Sequence, residues 1–212
     1  MSQVAEPQRR RPAERPDEIL DAALEEFGAR GLAGARMSDI ARRANVSKGT
    51  VYLYFDTKDD LFRSVVQRTI ADAVATLNEA AVGATAEERI RGLLPSFWQL
   101  LRSKRFEIVY RLVYAELHNF PDLMRFYSTE IAGQVSSFIA DLIRAGIENG
   151  EFRTADPDVT ARMLMALCIK HATWMARPDL FPHASDRTEE QVRGDVAEFF
   201  FNAIRLQAGE PN

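Results

Sequence analysis

The chain has 212 residues, 46% of them hydrophobic and 27% charged, the mixture of a globular protein and not of a disordered one. At about 150 residues per domain this makes one to two domains, enough to bury a core without disulfide or metal staples. Cys168 is the single cysteine, which excludes an internal disulfide and fits a reducing cytosol.

The start, MSQVAEPQRRRPAERPDEI, lacks the apolar stretch of a secretory signal. No run approaches the roughly 18 uncharged apolar residues of a membrane span. The expectation is a cytoplasmic protein with no membrane partner.

The net charge of −4 hides an uneven distribution. Arg9, Arg10, Arg11 and Arg15 outnumber Glu6 and Glu14 at the start. Arg36, Arg42, Arg43, Lys48 and Lys58 outnumber Asp39 and Asp56 further on. Residues 17–29 between them carry acids and no base. A phosphate-bearing partner would meet two basic segments, not a basic protein.

Helical signals run from end to end. DEILDAALEEFGARG places Ile19, Leu20, Ala23, Leu24 and Phe27 on one face, with Gly31 as a stop. Ser38 is a candidate N-cap for SDIARRAN. Asn45-Val46-Ser47 breaks that helix, because Asn tolerates the left-handed conformation and Ser47 can cap the next one. KGTVYLYF is a short third helix.

Longer helices come next. Thr57 to Asp60 and Thr85 to Glu88 read as capping boxes, and Pro95 predicts a kink or early break in the helix after Thr85. Phe106 to Leu117 forms another. Pro121 opens a long helix through Ile131, Val135 and Leu142 to Asn149-Gly150. Asp156-Pro157 and Thr188 to Gln191 open the last two. The fold class is all-α, with about nine helices.

The helices over 38–44 and 47–55 are joined by a three- or four-residue turn, the spacing of a helix-turn-helix. A helix presented so can lay its N-terminal residues on base edges in the major groove. Lys48 suits a guanine edge or a phosphate, and Gly49 lets the backbone come close. Thr50 offers a hydroxyl and a methyl, and Leu53 can touch a thymine methyl. Tyr52 and Tyr54 place phenol hydroxyls where phosphates run. Ser38 and Lys58 stand at helix starts that suit phosphates. By spacing alone, two short helices in a bundle with solvated basic residues read equally well.

The run EILDAALEEFGARGLAGARMSDIARRANVSKGTVYLYFDTKDDLF closely resembles the DNA-binding domain of the TetR family of transcriptional regulators, over about residues 13–73. VSKGTVYLYF followed by TKDDL is the specific combination. The resemblance implies a homodimer of subunits with an N-terminal three-helix DNA reader and a C-terminal helical ligand-binding and dimerisation domain. It implies repression relieved by a small molecule. The family's DNA contacts fall on Ser38, Ser47, Lys48, Gly49, Thr50, Tyr52, Leu53, Tyr54 and Lys58. Leu53 and Tyr54 depart from the aromatic and histidine common there, which leaves the operator sequence open.

The expected organisation is a flexible basic arm over 1–12, a DNA-binding domain over 13–73 with its motif at 36–55, and a regulatory and dimerisation domain over 74–212. The arm is either a solvated tail or a contact to phosphates or the minor groove.

In the regulatory domain Trp98, Tyr110, Tyr114, His118, Phe126, His171 and Trp174 mix apolar bulk with polar tips, as drug-sized pockets do. Core packing is the better explanation of each of them taken singly. Leu164, Leu167, Val192, Val196, Phe199 and Phe200 are the candidate dimer interface. Three successive phenylalanines span most of a helix, so a monomer would leave one exposed.

No metal or cofactor is expected: the three histidines never stand at i, i+4, and Cys168 is alone on an apolar helix. An enzyme is not expected either, for the chain lacks a Gly-rich phosphate loop, a G-x-S-x-G elbow and H-E-x-x-H. The reading is a repressor that binds a palindromic double-stranded DNA operator as a homodimer and is released by a small apolar or aromatic effector. The alternative is a DNA-binding regulator or activator without a ligand.

Overall fold

The computed structural model describes residues 15–153, 155–184 and 186–206. The arm expected over 1–12 lies outside them. Apart from one isolated bridge between Phe152 and Arg205, the regular structure among the described residues is helical. In chain order the α-helices are α1 (Arg15–Gly34), α2 (Met37–Arg43), α3 (Lys48–Tyr54), α4 (Lys58–Ala80) and α5 (Ala86–Arg102). Then come α6 (Lys104–Ala115), α7 (Pro121–Phe126), α8 (Gln134–Glu148), α9 (Pro157–Met175) and α10 (Glu189–Ile204). No helix among the described residues is long and apolar enough to cross a membrane.

The chain divides into two compact units. The first holds the residues up to Val66 together with Ile108–Leu123; the second holds Gln67–Glu107 and Met124 onward. The helices α4, α6 and α7 therefore each contribute residues to both.

In the first unit Ile19, Ala23 and Phe27 turn one stripe of α1 fully inward, and Phe27 meets Phe62 edge to face at 5.9 Å. Gly31 breaks the helix with φ 71° and ψ 171°, a region closed to most side chains. Asn45 takes the left-handed conformation at φ 54°. Ser47 caps α3 by accepting the Thr50 amide at 3.0 Å.

Ser38 does not cap α2. Arg36 holds the cap position in extended backbone without a side-chain cap, and Ser38 lies exposed inside the helix. Burial decides this, because Met37 must already be helical to share an inward face with Ile40 and Ala41.

The second unit packs α5, α8, α9 and α10 around one apolar core. Reciprocal capping boxes start α5 at Thr85 and α10 at Thr188, and Asp156 caps α9 with Pro157 in its first turn. Pro95 neither breaks nor shortens α5, which runs on to Arg102. Leu93, Leu94, Phe97, Trp98 and Leu101 are buried around it. At about 1.5–3 kcal/mol each they outweigh the roughly 3 kcal/mol cost of an internal proline.

The long helix read over 121–149 is in two pieces. A widened turn over Tyr127–Ile131, closed by the Ala132 amide on the Tyr127 carbonyl at 2.8 Å, separates α7 from α8. Phe126 and Ile131 are both buried, yet a regular α-helix would set them about 140° apart. The wider turn brings both inward.

Candidate nucleic-acid interface

Val51 is the buried residue of α3, with none of its surface exposed. One inward anchor on a seven-residue helix leaves the remaining face to solvent. Ser47, Lys48, Gly49, Tyr52, Leu53 and Tyr54 are exposed there, and Thr50 is half-buried. Leu53 is 77% exposed, an apolar side chain at a helix tip that nothing among the described residues covers. Lys48 Nζ lies 5.5 Å above the Tyr52 ring. Ser47 Oγ and Thr50 Oγ1 share a hydrogen bond of 2.8 Å.

Gly49 is informative by elimination. A Cβ added there would meet only Ser47 Oγ, at an unstrained 3.7 Å. Glycine inside a helix costs about 0.5–1 kcal/mol relative to alanine. Nothing among the described residues needs it.

The basic excess read between 36 and 58 shrinks once its partners are known. Arg42 pairs with Asp39 at 2.7 Å. Arg43 reaches back to α1, with Glu25 at 2.9 Å and the buried Glu26 at 3.1 Å. Lys58 Nζ donates to the carbonyls of Leu32, Ala33 and Ala35 at 2.7, 3.2 and 3.2 Å. The ammonium assigned to a phosphate by resemblance thus holds the end of α1. Arg36 and Lys48 are the exposed cations of this segment that carry no ion pair among the described residues. The sequence reading missed Arg36 as a site residue. Its only signal was its charge; the extended cap position that exposes it needed the fold.

The seven effector candidates are divided between the two units. Tyr110 and Tyr114 stack in the first unit with centroids 4.4 Å apart. Tyr114 is 69% exposed and His118 is exposed as well. Burial and the neighbouring Tyr114 raise the Tyr110 phenol above its ordinary pKa. Trp98 and Phe126 are buried in the second unit, where the Trp98 indole nitrogen is buried without a hydrogen-bond partner.

His171 and Trp174 do share a site. They line an open recess of about 410 Å³ between α9 and α10, with Leu167, His183, Val192, Val196, Phe199 and the Arg187–Asp195 ion pair. Trp174 is ringed by His171, Phe181 and His183 at 5.5, 6.0 and 6.2 Å between centroids.

Of the dimer candidates, Leu164 and Phe200 belong to the protomer's own core and have little surface left for a partner. Val192 and Val196 are buried on the wall of the recess. Phe199 is 67% exposed, Leu167 is half-buried, and Met163, one turn before Leu167, is exposed. Phe199 is the member of the Phe199–Phe201 triplet that the chain leaves uncovered. Cys168 lies in the core, where burial pushes its thiol up to about 12.

A unit whose second and third helices are joined by a short turn that caps the third, in a chain that continues into a larger helical unit, has the arrangement of a helix-turn-helix transcription regulator. Residues 19–65 match the family model of bacterial regulatory proteins of the TetR family. Residues 88–203 match that of the C-terminal domain of AefR-like transcriptional repressors. The chain belongs to the TetR family of transcriptional regulators.

Among curated relatives, the repressor KstR2 of Mycolicibacterium smegmatis is 25% identical over 78% of each chain. The fatty acid metabolism regulator protein of Bacillus subtilis is 28% identical over 64% of this chain and 70% of its own. Among solved structures, FadR of Bacillus subtilis in complex with stearoyl-CoA aligns at a TM-score of 0.68 with 21% identity, over 89% of this chain and 99% of that one. The fatty acid degradation regulator FadR of Bacillus halodurans aligns at 0.71 with 22% identity, over 92% and 97%.

Proposed function

We propose that this regulator is a homodimeric repressor that holds a palindromic operator and lets go when a small, largely apolar molecule binds its second unit. The observation that carries the DNA half is α3, which keeps only Val51 inward and turns Lys48, Gly49, Tyr52, Leu53 and Tyr54 to solvent. Lys48, Thr50 and Leu53 read base edges, while Ser38, Ser47, Tyr52, Tyr54 and Arg36 hold the backbone. Dimerisation sets two copies of α3 one DNA turn apart, about 34–36 Å. Phe199, Met163 and Leu167 are the apolar surface that supports a second copy on α9 and α10.

The effector proposed is an acyl thioester. Two lines support that class. The second unit's core is apolar, the surroundings an acyl chain requires. The relatives in the fatty acid regulators point the same way.

The first experiment retains genomic fragments on purified protein in about 150 mM salt, where phosphate contacts are screened, and sequences them. Enrichment of one short palindrome supports the repressor; its absence with folded, ligand-free dimer overturns it. Stearoyl-CoA that raises the melting temperature and displaces the palindrome supports the effector class. A palindrome that no acyl thioester displaces favours a regulator without this ligand.

A further inference from the structure

The recess between α9 and α10 lies wholly within the second unit. α9 ends at Met175 and α10 begins at Glu189, so one connection joins the two helices beside it. His171, Trp174 and Val192 stand within about one helical turn of that connection, and Leu167 and Phe199 about two to three turns from it. The buried side chains of Val192 and Val196 give the recess an apolar wall.

The two ends differ in chemistry. Leu167 and Phe199 continue the apolar strip of Met163 proposed above to meet a second copy. The end beside the connection carries an indole, two imidazoles and the Arg187–Asp195 ion pair. The core of an interface between protein copies is depleted of charged groups, whereas a ligand site sets a few polar groups into an apolar wall. Trp174 is also held in place before any ligand arrives. The Lys170 ammonium lies 4.9 Å from its ring centre, His171, Phe181 and His183 pack around it, and Phe181 meets His183 edge to face at 6.3 Å. An indole fixed in this way loses little freedom when a flat ring comes against it.

Charge and size narrow the ligand. Arg187 reaches both carboxylate oxygens of Asp195, at 2.9 and 3.3 Å, so the pair carries no net charge and an ionic ligand would have to break it. A neutral imidazole holds one donor and one acceptor, which a hydroxyl or a ring N–H can meet. A volume of about 410 Å³ is near the lower end of the roughly 300–1,000 Å³ of ligand pockets, room for one or two fused rings. We propose that the Trp174 end of this recess is a second small-molecule site, which takes a neutral planar aromatic molecule bearing a hydroxyl or a ring N–H. This site is separate from that of the acyl effector and does not depend on the acyl reading.

The chain carries its own controls, for it has two tryptophans and three histidines. Trp98 is buried in the core of the same unit, and His118 is exposed in the first unit. The test adds 2-naphthol to the full-length, isotope-labelled protein and follows the side-chain nitrogens of the indoles and imidazoles by NMR. Naphthalene is the comparison, the same ring system without the hydroxyl. 2-Naphthol should move the resonances of Trp174, His171 and His183 and leave those of Trp98 and His118 in place. It should bind roughly three- to tenfold more tightly than naphthalene, the worth of one hydrogen bond.

Trp174→Ala should weaken 2-naphthol binding about tenfold. His171→Phe combined with His183→Phe keeps the aromatic packing, serves where Trp174→Ala does not fold, and should erase the preference for 2-naphthol over naphthalene. A preference that survives in that double variant overturns the proposal. Movement of Trp98 in place of Trp174 would put the probe in the apolar core and overturns it as well. If neither indole moves in the wild type, the recess is filled by a second copy and is not a ligand site.

Discussion

Glu26 of α1 is buried beneath Arg43 of α2, its carboxylate 3.1 Å from the guanidinium Nη2 and 3.3 Å from Nε. Arg30 Nε stands 2.6 Å from the other oxygen as an ion pair, outside hydrogen-bonding geometry. A buried acid is stable only when paired, so this contact fixes the packing of α1 against the helix that carries the DNA-reading turn. Glu26→Ala should lower the stability of the first unit by about 1–3 kcal/mol, the range for hydrogen bonds to charged groups. Both arginines are partly exposed and can return to water, which keeps the loss at the lower end. Urea denaturation followed by circular dichroism measures it; an unchanged midpoint would mean the pair holds nothing.

Lys48→Ala and Tyr52→Ala should weaken operator binding without changing helicity, since neither side chain packs in the core. The two differ in how they fail. Loss of a base contact at Lys48 should cost about 1–3 kcal/mol and relax preference at one operator position. Loss of a phosphate contact at Tyr52 should weaken all sequences alike. Titrations against the operator and single-base variants of it distinguish them. Equal losses on every sequence for Lys48→Ala would move that residue to the backbone.

Much of this interface was legible in the sequence because it is local. Ser47 capping, the left-handed Asn45 and the stop at Gly31 each arise from residue chemistry within a few positions. The partners of the cations were not legible. Arg43 finds acids 17 and 18 residues back, and Lys58 finds carbonyls 23 to 26 residues back. Glu116 reaches 84 residues to the Leu32 amide. The break in the long helix after Phe126 escaped for a related reason. No proline or glycine marks Tyr127–Ile131, and the shared burial of Phe126 and Ile131 opens the turn.

Glu87 gives the second unit a pH dependence. Hydrogen bonds from Arg205 first, and then from Arg91, hold its carboxyl below the ordinary carboxylate value against the opposing effect of burial. A group whose folded pKa is depressed binds fewer protons folded than unfolded. Its contribution is therefore complete above the unfolded value of about 4.3 and is lost as pH falls through the folded one. Glu87→Gln should be less stable than the wild type at pH 7, and the gap should close in acid. Urea midpoints at pH 7 and at about pH 3 check this; a gap that widens in acid would reverse the sign.

Phe199 and Leu164 lie on α10 and α9, and the structure gives them opposite roles. Leu164 has none of its surface exposed, whereas Phe199 is 67% exposed beside the recess lined by Leu167, Val192 and Val196. Leu164→Ala should cost about 2–5 kcal/mol of stability through the cavity it leaves, whatever the oligomeric state. Phe199→Glu should leave the protomer folded, because the side chain already meets water there. Its effect belongs to association: burying a carboxylate against a second apolar surface is costly unless it finds a partner. Sedimentation should show monomer for Phe199→Glu at concentrations where the wild type is dimeric. Operator binding should fall with it, since a lone α3 reads half a palindrome. A Phe199→Glu protein that still sediments as a dimer would place the interface on another face of the second unit.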